Sequence, residues 1–89
     1  MIRRELVIRN RLGLHARAAA RFVHTASRFK SRVTAGREGR TMDGKSILGI
    51  LLLAATQGSR IELCADGPDE EQAMLALVDL VEGGFGERP

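Results

Sequence analysis

Along this chain the spacing of apolar residues alternates between two and three-to-four, and the changes of spacing mark seven elements. In Ile2–Arg9 the apolar Ile2, Leu6 and Ile8 share one face of a strand, and Arg4 breaks the alternation as an edge strand permits. Gly13 then turns the chain into a helix over Ala16–Ser27, where Ala19, Phe22, Val23 and Ala26 recur at helical spacing to face a sheet. On its outer side the small Ala16, Ala18 and Ala20 leave a smooth surface. Arg32–Ala35, with Val33 and Ala35 inward, and Arg40–Asp43 predict a hairpin across the turn Gly36-Arg37-Glu38-Gly39. Ser46 is placed to cap the apolar helical run Ile47–Ala55, which Gln57-Gly58 stops. Arg60–Asp66 alternates cleanly, with Ile61, Leu63 and Ala65 inward. After Pro68, Asp69 is placed as the N-cap of a last helix, with Gln72 three residues on and a buried stripe of Ala73, Met74, Leu77, Val78, Leu80 and Val81. Gly83-Gly84 ends that helix, and Phe85–Pro89 reads as a short, loosely ordered tail.

The order βαββαβα, with strands apolar on one side only, predicts an α+β fold. It is a two-layer open-faced sandwich, a four-stranded antiparallel sheet covered on one face by three helices. The 89 residues fit one domain, 1–89, with 44% hydrophobic and 28% charged residues. No stretch approaches the roughly 18 to 20 apolar residues of a membrane span, and the start Met-Ile-Arg-Arg-Glu-Leu lacks the apolar region of a secretory signal, so no membrane insertion and a cytoplasmic setting are expected. The single Cys64 excludes an intrachain disulfide and a cysteine metal cluster. Net charge is +3 with a pI near 10.0, which admits nucleic acid, anionic membrane or acidic protein as partners. With no Trp, no Tyr and three Phe there is little to stack on bases, so acidic protein surfaces are favoured over nucleic acid.

The candidate chemistry lies at His15, at the junction of loop and helix in Asn10–Arg21. There the first backbone N–H groups lack partners and attract an anion. The positive end of the helix dipole favours the neutral, nucleophilic imidazole; the amides of Ala16 and Arg17 face phosphoryl oxygens, and the Arg17 guanidinium adds a counter-charge. Spacing alone is equally met by a surface histidine ending a helix beside an incidental arginine. The run after Ser46 is apolar on all sides, so part of it is exposed: Ile50 and Leu53 are the core candidates, and Ile47, Leu48 and Leu51 form a patch of the kind that marks a partner site. Ala16, Ala20, Arg21 and Lys45 border it, with Arg17 and His24 as further basic rim. The same patch would equally serve a non-catalytic regulatory binding module, core packing or a dimer contact. His24 reads as a solvated helix residue, Gly36–Gly39 lacks the setting of a phosphate loop, and no cluster has metal-ligand spacing, so neither metal nor cofactor is expected.

Gly13-Leu14-His15-Ala16-Arg17, together with Lys45-Ser46-Ile47-Leu48-Gly49-Ile50, the Gln57-Gly58 turn and Asp66-Gly67-Pro68-Asp69-Glu70-Glu71, resembles HPr, the histidine phosphocarrier family of the bacterial phosphotransferase system. The resemblance covers nearly the whole chain. It implies that His15 is the phosphorylated histidine, with Arg17 beside it, taking its phosphoryl group from phosphorylated Enzyme I and passing it to a IIA domain. Such a protein is a transfer intermediate rather than a turnover catalyst, acts in sugar uptake or in nitrogen and carbon regulation, and is expected as a monomer. The resemblance further implies docking of Enzyme I and IIA on the patch after Ser46, and regulation of Ser46 by HPr kinase/phosphorylase, which would add about 1.5 to 2 negative charges beside that surface. Ala18 departs from the family, where proline is common, at some cost in rigidity. Asp43-Gly44-Lys45-Ser46, Leu51–Ala55 and Gly84-Phe85-Gly86-Glu87 are more similar to the nitrogen-regulatory branch, whose carrier is called NPr, than to a sugar-uptake HPr.

Overall fold

In a computed structural model, which describes residues 1–87, the chain runs β1 (Ile2–Val7), α1 (Ala16–Ser27), β2 (Arg32–Arg37), β3 (Arg40–Asp43), α2 (Ile47–Leu52), β4 (Arg60–Asp66) and α3 (Glu70–Glu82), closing on a 3-10 turn at Gly84–Gly86. The expected βαββαβα order and α+β class stand. All strand pairings are antiparallel, in the order β1-β4-β2-β3, so β1 is an edge strand as its broken alternation indicates. The register sets Leu6 against Ile61, Ala35 against Leu63 and Val33 against Ala65, which gathers the apolar residues of three strands on one face. The helices cover that face, and Phe22, Ile8, Ile50, Ile61, Leu63 and Leu77 are fully buried between the layers.

Several boundaries move for local reasons. β2 extends to Arg37 because the hairpin turns on two residues, Glu38 (φ 51°) and Gly39 (φ 79°), both left-handed as a tight primed turn requires. The expected helix to Ala55 stops at Leu52: Leu53 caps it and Ala54 turns left-handed (φ 51°). The stop is not Gln57-Gly58, which instead lead into β4. Arg37 and Arg40 of the hairpin donate to the carbonyls of Leu53 (3.1 Å) and Leu52 (3.3 Å), satisfying the acceptors that a short helix leaves open. Ala18, expected on the outer surface of α1, is fully buried with Ala19, Phe22 and Ala26, while Val23 is only half-buried.

Two ties set the direction of α2 against α1. The amide of Leu14, just before α1, donates to the carbonyl of Ala55, just after α2 (2.9 Å), and Lys45 Nζ, just before α2, donates to the carbonyl of Phe29, just after α1 (2.8 Å). The two helices therefore run antiparallel, with Ser46 at the end remote from His15. The 12 residues of α1 separate these ends by about 18 Å.

Asp69 stands at the N-cap position of α3 without making the expected cap bond. Its carboxylate turns to the chain after α1, accepting from the Lys30 and Ser31 amides (2.9 Å each) and from the Ser31 hydroxyl. The Ser31 hydroxyl and then the Lys30 amide hold the Asp69 carboxyl down at about 2. The tail is also unlike its expectation. Phe85 is buried against the core at 1% exposure, which contributes about 1.5–3 kcal/mol, so the chain is anchored through Glu87; the last two residues of the expected loose tail, 88 and 89, lie outside the described residues.

Candidate functional site

His15 is the N-cap residue of α1, with extended backbone (φ −74°, ψ 178°), and its carbonyl accepts the first helical bond, from Ala19 (2.9 Å). The side chain makes no cap bond, so the amides of Ala16, Arg17 and Ala18 have no partner within the helix. Gly13 is what sets this approach. It lies at φ +65°, and an added Cβ would stand 2.4 Å from the Ala55 carbonyl oxygen, so the loop passes too close to the end of α2 for any side chain.

The imidazole is held from its far side. Glu87 Oε2 contacts His15 Nε2, and Glu87 Oε1 accepts from Asn10 Nδ2 (3.0 Å), which also donates to the Gly13 carbonyl (2.8 Å). Asn10 is buried, and both its N–H donors are used on this bridge between the loop and the tail. The Asn10 amide first, then the His15 ring and the Arg21 charge, hold the Glu87 carboxyl below its ordinary value, so it is ionised at neutral pH. Arg21 extends back from α1 to the Phe85 carbonyl, fixing the turn that presents Glu87.

Around the ring is an open cleft of about 810 Å³ lined by Arg11, Leu12, Ala16, Arg17, Arg21 and Glu87. With Nε2 engaged, Nδ1 is the ring nitrogen left to act, and three guanidinium groups and a helix N-terminus share its cleft. This is a setting for a nucleophilic imidazole that meets a small multiply charged anion. Among the described residues no group of three or more His, Cys, Asp or Glu side chains could hold a metal ion, and no helix is long and apolar enough to cross a membrane.

The structure brings His15, Ala16, Arg17 and Arg21 together and leaves Ala20 exposed on the same helix. It does not bring Ser46 or Lys45 to this cleft. Ser46 caps α2, its hydroxyl oxygen accepting from the Gly49 amide (3.0 Å), and Lys45 is half-buried with its ammonium on Phe29. On α2, Ile50 and Leu53 are core, as their spacing indicates. The exposed apolar residues are Ile47, Leu48 and Leu52; Leu51, expected in the patch, is half-buried against the core because the short helix turns its angle inward. His24 is exposed and outside the site. Sequence reasoning missed Glu87, Asn10, Arg11 and Leu52. The one available signal was Phe85, a large apolar residue between glycines beyond the helix stop, which has reason to return to the core and draw Glu87 with it.

The chain matches the family described as PTS HPr component phosphorylation site over residues 2–83. It is 51% identical over 87 residues to a phosphocarrier protein HPr of Neisseria meningitidis serogroup A, covering 98% of each chain. Among solved structures it is similar to the crystal structure of HPr-C-His from Thermoanaerobacter tengcongensis (TM-score 0.96, 46% identity, all of both chains) and to that of an HPr dimer from the same organism (TM-score 0.79, 49% identity, 92% of this chain and 94% of that one).

Proposed function

This chain belongs to the HPr family of phosphocarriers of the phosphotransferase system, and we propose that His15 is its phosphoryl acceptor, working through Nδ1. The observation that supports the assignment is the engagement of His15 Nε2 by Glu87 at the start of α1, which leaves the other ring nitrogen unengaged on a residue that lines a cleft of arginines. Nδ1 attacks phosphorus as the bond from phosphorus to the donor breaks, and the leaving pair stays with the donor. Arg17 and the first amides of α1 hold the phosphoryl oxygens. The donor is phosphorylated Enzyme I and the acceptor a IIA domain, of the sugar-uptake or the nitrogen-regulatory branch.

Docking uses Ala16, Ala20 and Arg21 on α1 together with Ile47, Leu48 and the adjoining surface of α2, an exposed apolar strip with a basic rim. Ser46 is the regulatory phosphorylation site for HPr kinase/phosphorylase. Since it lies at the end of α1 away from His15, its phosphate acts on docking through charge, not on the imidazole. The carrier works in the cytoplasm as a monomer, with ring and strip both open on one chain.

The deciding experiment incubates the protein with phosphoenolpyruvate, Mg²⁺ and Enzyme I. An acid-labile phosphate is expected that is absent from His15→Ala. A wild type that gains no label from competent Enzyme I would remove the carrier reading in favour of a binding module on the α2 strip. Mass spectrometry of protein from its native host on several carbon sources tests Ser46, and light scattering tests the monomer.

A further inference from the structure

Ala54 stands where the chain leaves α2, and its left-handed backbone (φ 51°) is one that any residue with a Cβ resists. Its side chain is exposed, so packing does not hold it there. The backbone on either side does. Before it, the carbonyls of Leu52 and Leu53 accept from Arg40 and Arg37, two guanidinium groups sent across from the hairpin of β2 and β3. After it, the Ala55 carbonyl accepts from the Leu14 amide, and the same oxygen is the atom that leaves no room for a side chain at Gly13. Leu14 is the residue before His15. The hairpin, the end of α2 and the loop of His15 are thus joined by contiguous contacts, with a strained residue in the middle.

We infer that Arg37, assisted by Arg40, is a positioning residue for His15. Arg37 is half-buried, its bond is the shorter of the two, and it falls on the carbonyl directly before Ala54. The peptide group joining Leu53 to Ala54 is planar, so fixing both of its polar ends fixes its orientation. Arg37 takes the carbonyl end (3.1 Å), and the Ala54 amide donates to the Leu51 carbonyl (3.0 Å). Held this way, Ala54 keeps its left-handed turn and delivers the Ala55 oxygen to Leu14. Without the guanidinium, Ala54 relaxes toward a conformation that suits alanine, the Ala55 oxygen withdraws from Leu14, and the loop that places His15 at the start of α1 loses its support. Arg37 therefore acts on the ring through α2 and touches no reacting atom. The role rests on His15 being the acceptor.

The test compares wild type with Arg37→Gln, Arg37→Lys and the double variant Arg37→Gln/Ala54→Gly, labelled by Enzyme I and phosphoenolpyruvate, with Leu14 amide exchange followed by NMR on the unphosphorylated proteins. Arg37→Gln is expected to slow labelling at saturating Enzyme I on the order of 10-fold, less than the roughly 100-fold of a 1 Å displacement because Arg40 still holds Leu52. The Enzyme I concentration at half-saturation is expected to stay the same, and the Leu14 amide to exchange about tenfold faster. Arg37→Lys recovers part of both losses. Adding Ala54→Gly restores both, since glycine takes the left-handed turn without a clamp. Glu38→Gln is the control: it removes the ion pair that Arg37 makes at 3.4 Å but not the bond to Leu53, so neither readout moves. Urea unfolding verifies that Arg37→Gln keeps its fold. Unchanged rate and unchanged Leu14 exchange in folded Arg37→Gln would overturn the role, as would a loss that Ala54→Gly leaves in place or one confined to half-saturation, which would make Arg37 a docking residue. Leu14 exchange is read without any phosphoryl donor, so a wild type that takes no His15-dependent label overturns the carrier reading by a separate measurement.

Discussion

Replacing Gly13 by alanine probes the contact that sets His15 on its helix. The residue lies at φ +65°, where an L side chain costs about 1–2 kcal/mol. The new Cβ would also stand 2.4 Å from the Ala55 oxygen and 2.9 Å from Thr56 Cα, about 1 Å short of ordinary contact with the former. Both obstacles are backbone, so the loop must move, weakening the bond from the Leu14 amide to Ala55, worth about 0.5–1.5 kcal/mol. Gly13→Ala is expected to destabilise by about 2–3 kcal/mol in urea unfolding. A displacement near 1 Å, two residues from His15, is expected to slow phosphorylation by Enzyme I on the order of 100-fold in rapid-quench assays. Gly39→Ala is the control: it is also left-handed (φ +79°) but has no atom within 4 Å of the added Cβ, so only the conformational cost of about 1 kcal/mol remains and transfer is unchanged. If Gly13→Ala and Gly39→Ala behave alike in both assays, the close approach to Ala55 does not position His15.

Ser46→Ala removes the acceptor of the Gly49 amide and is expected to cost about 1 kcal/mol in urea unfolding, while His15 labelling proceeds at the wild-type rate because α1 separates the two residues. On α2, Leu48→Asp alters an exposed residue and is expected to shift stability by less than about 0.5 kcal/mol, yet to raise several-fold the concentration at which Enzyme I is half-saturated. Ile50→Ala, two residues on but fully buried, is expected to cost about 2–5 kcal/mol with little change in that concentration. Asp69 has a carboxyl lowered from 3.8 to about 2 in the fold, so its stabilising contribution is complete above 3.8 and is lost as pH falls toward 2. Denaturation midpoints across that range are expected to fall more steeply for wild type than for Asp69→Asn.

Whatever depends on neighbours along the chain was legible in the residues alone. Period-two and period-3.6 patterns place four strands and three helices; Ser46 three residues before Gly49 is enough for a cap; and a histidine between Gly13 and an alanine-rich helix falls on the helix N-terminus. Motif resemblance reached the family for the same reason. Tertiary structure alone decided what crosses the fold. Asp69 is a local N-cap candidate by sequence, but its carboxylate finds stronger donors at Lys30 and Ser31, which sheet order brings beside it. Leu51 and Leu52 are equally apolar, and the angle at which a six-residue helix meets the core sends the first inward and leaves the second exposed. Glu87 is 72 positions from His15, and only burial of Phe85 closes that distance. The carboxylate that holds the ring is therefore supplied by packing, which no local pattern encodes.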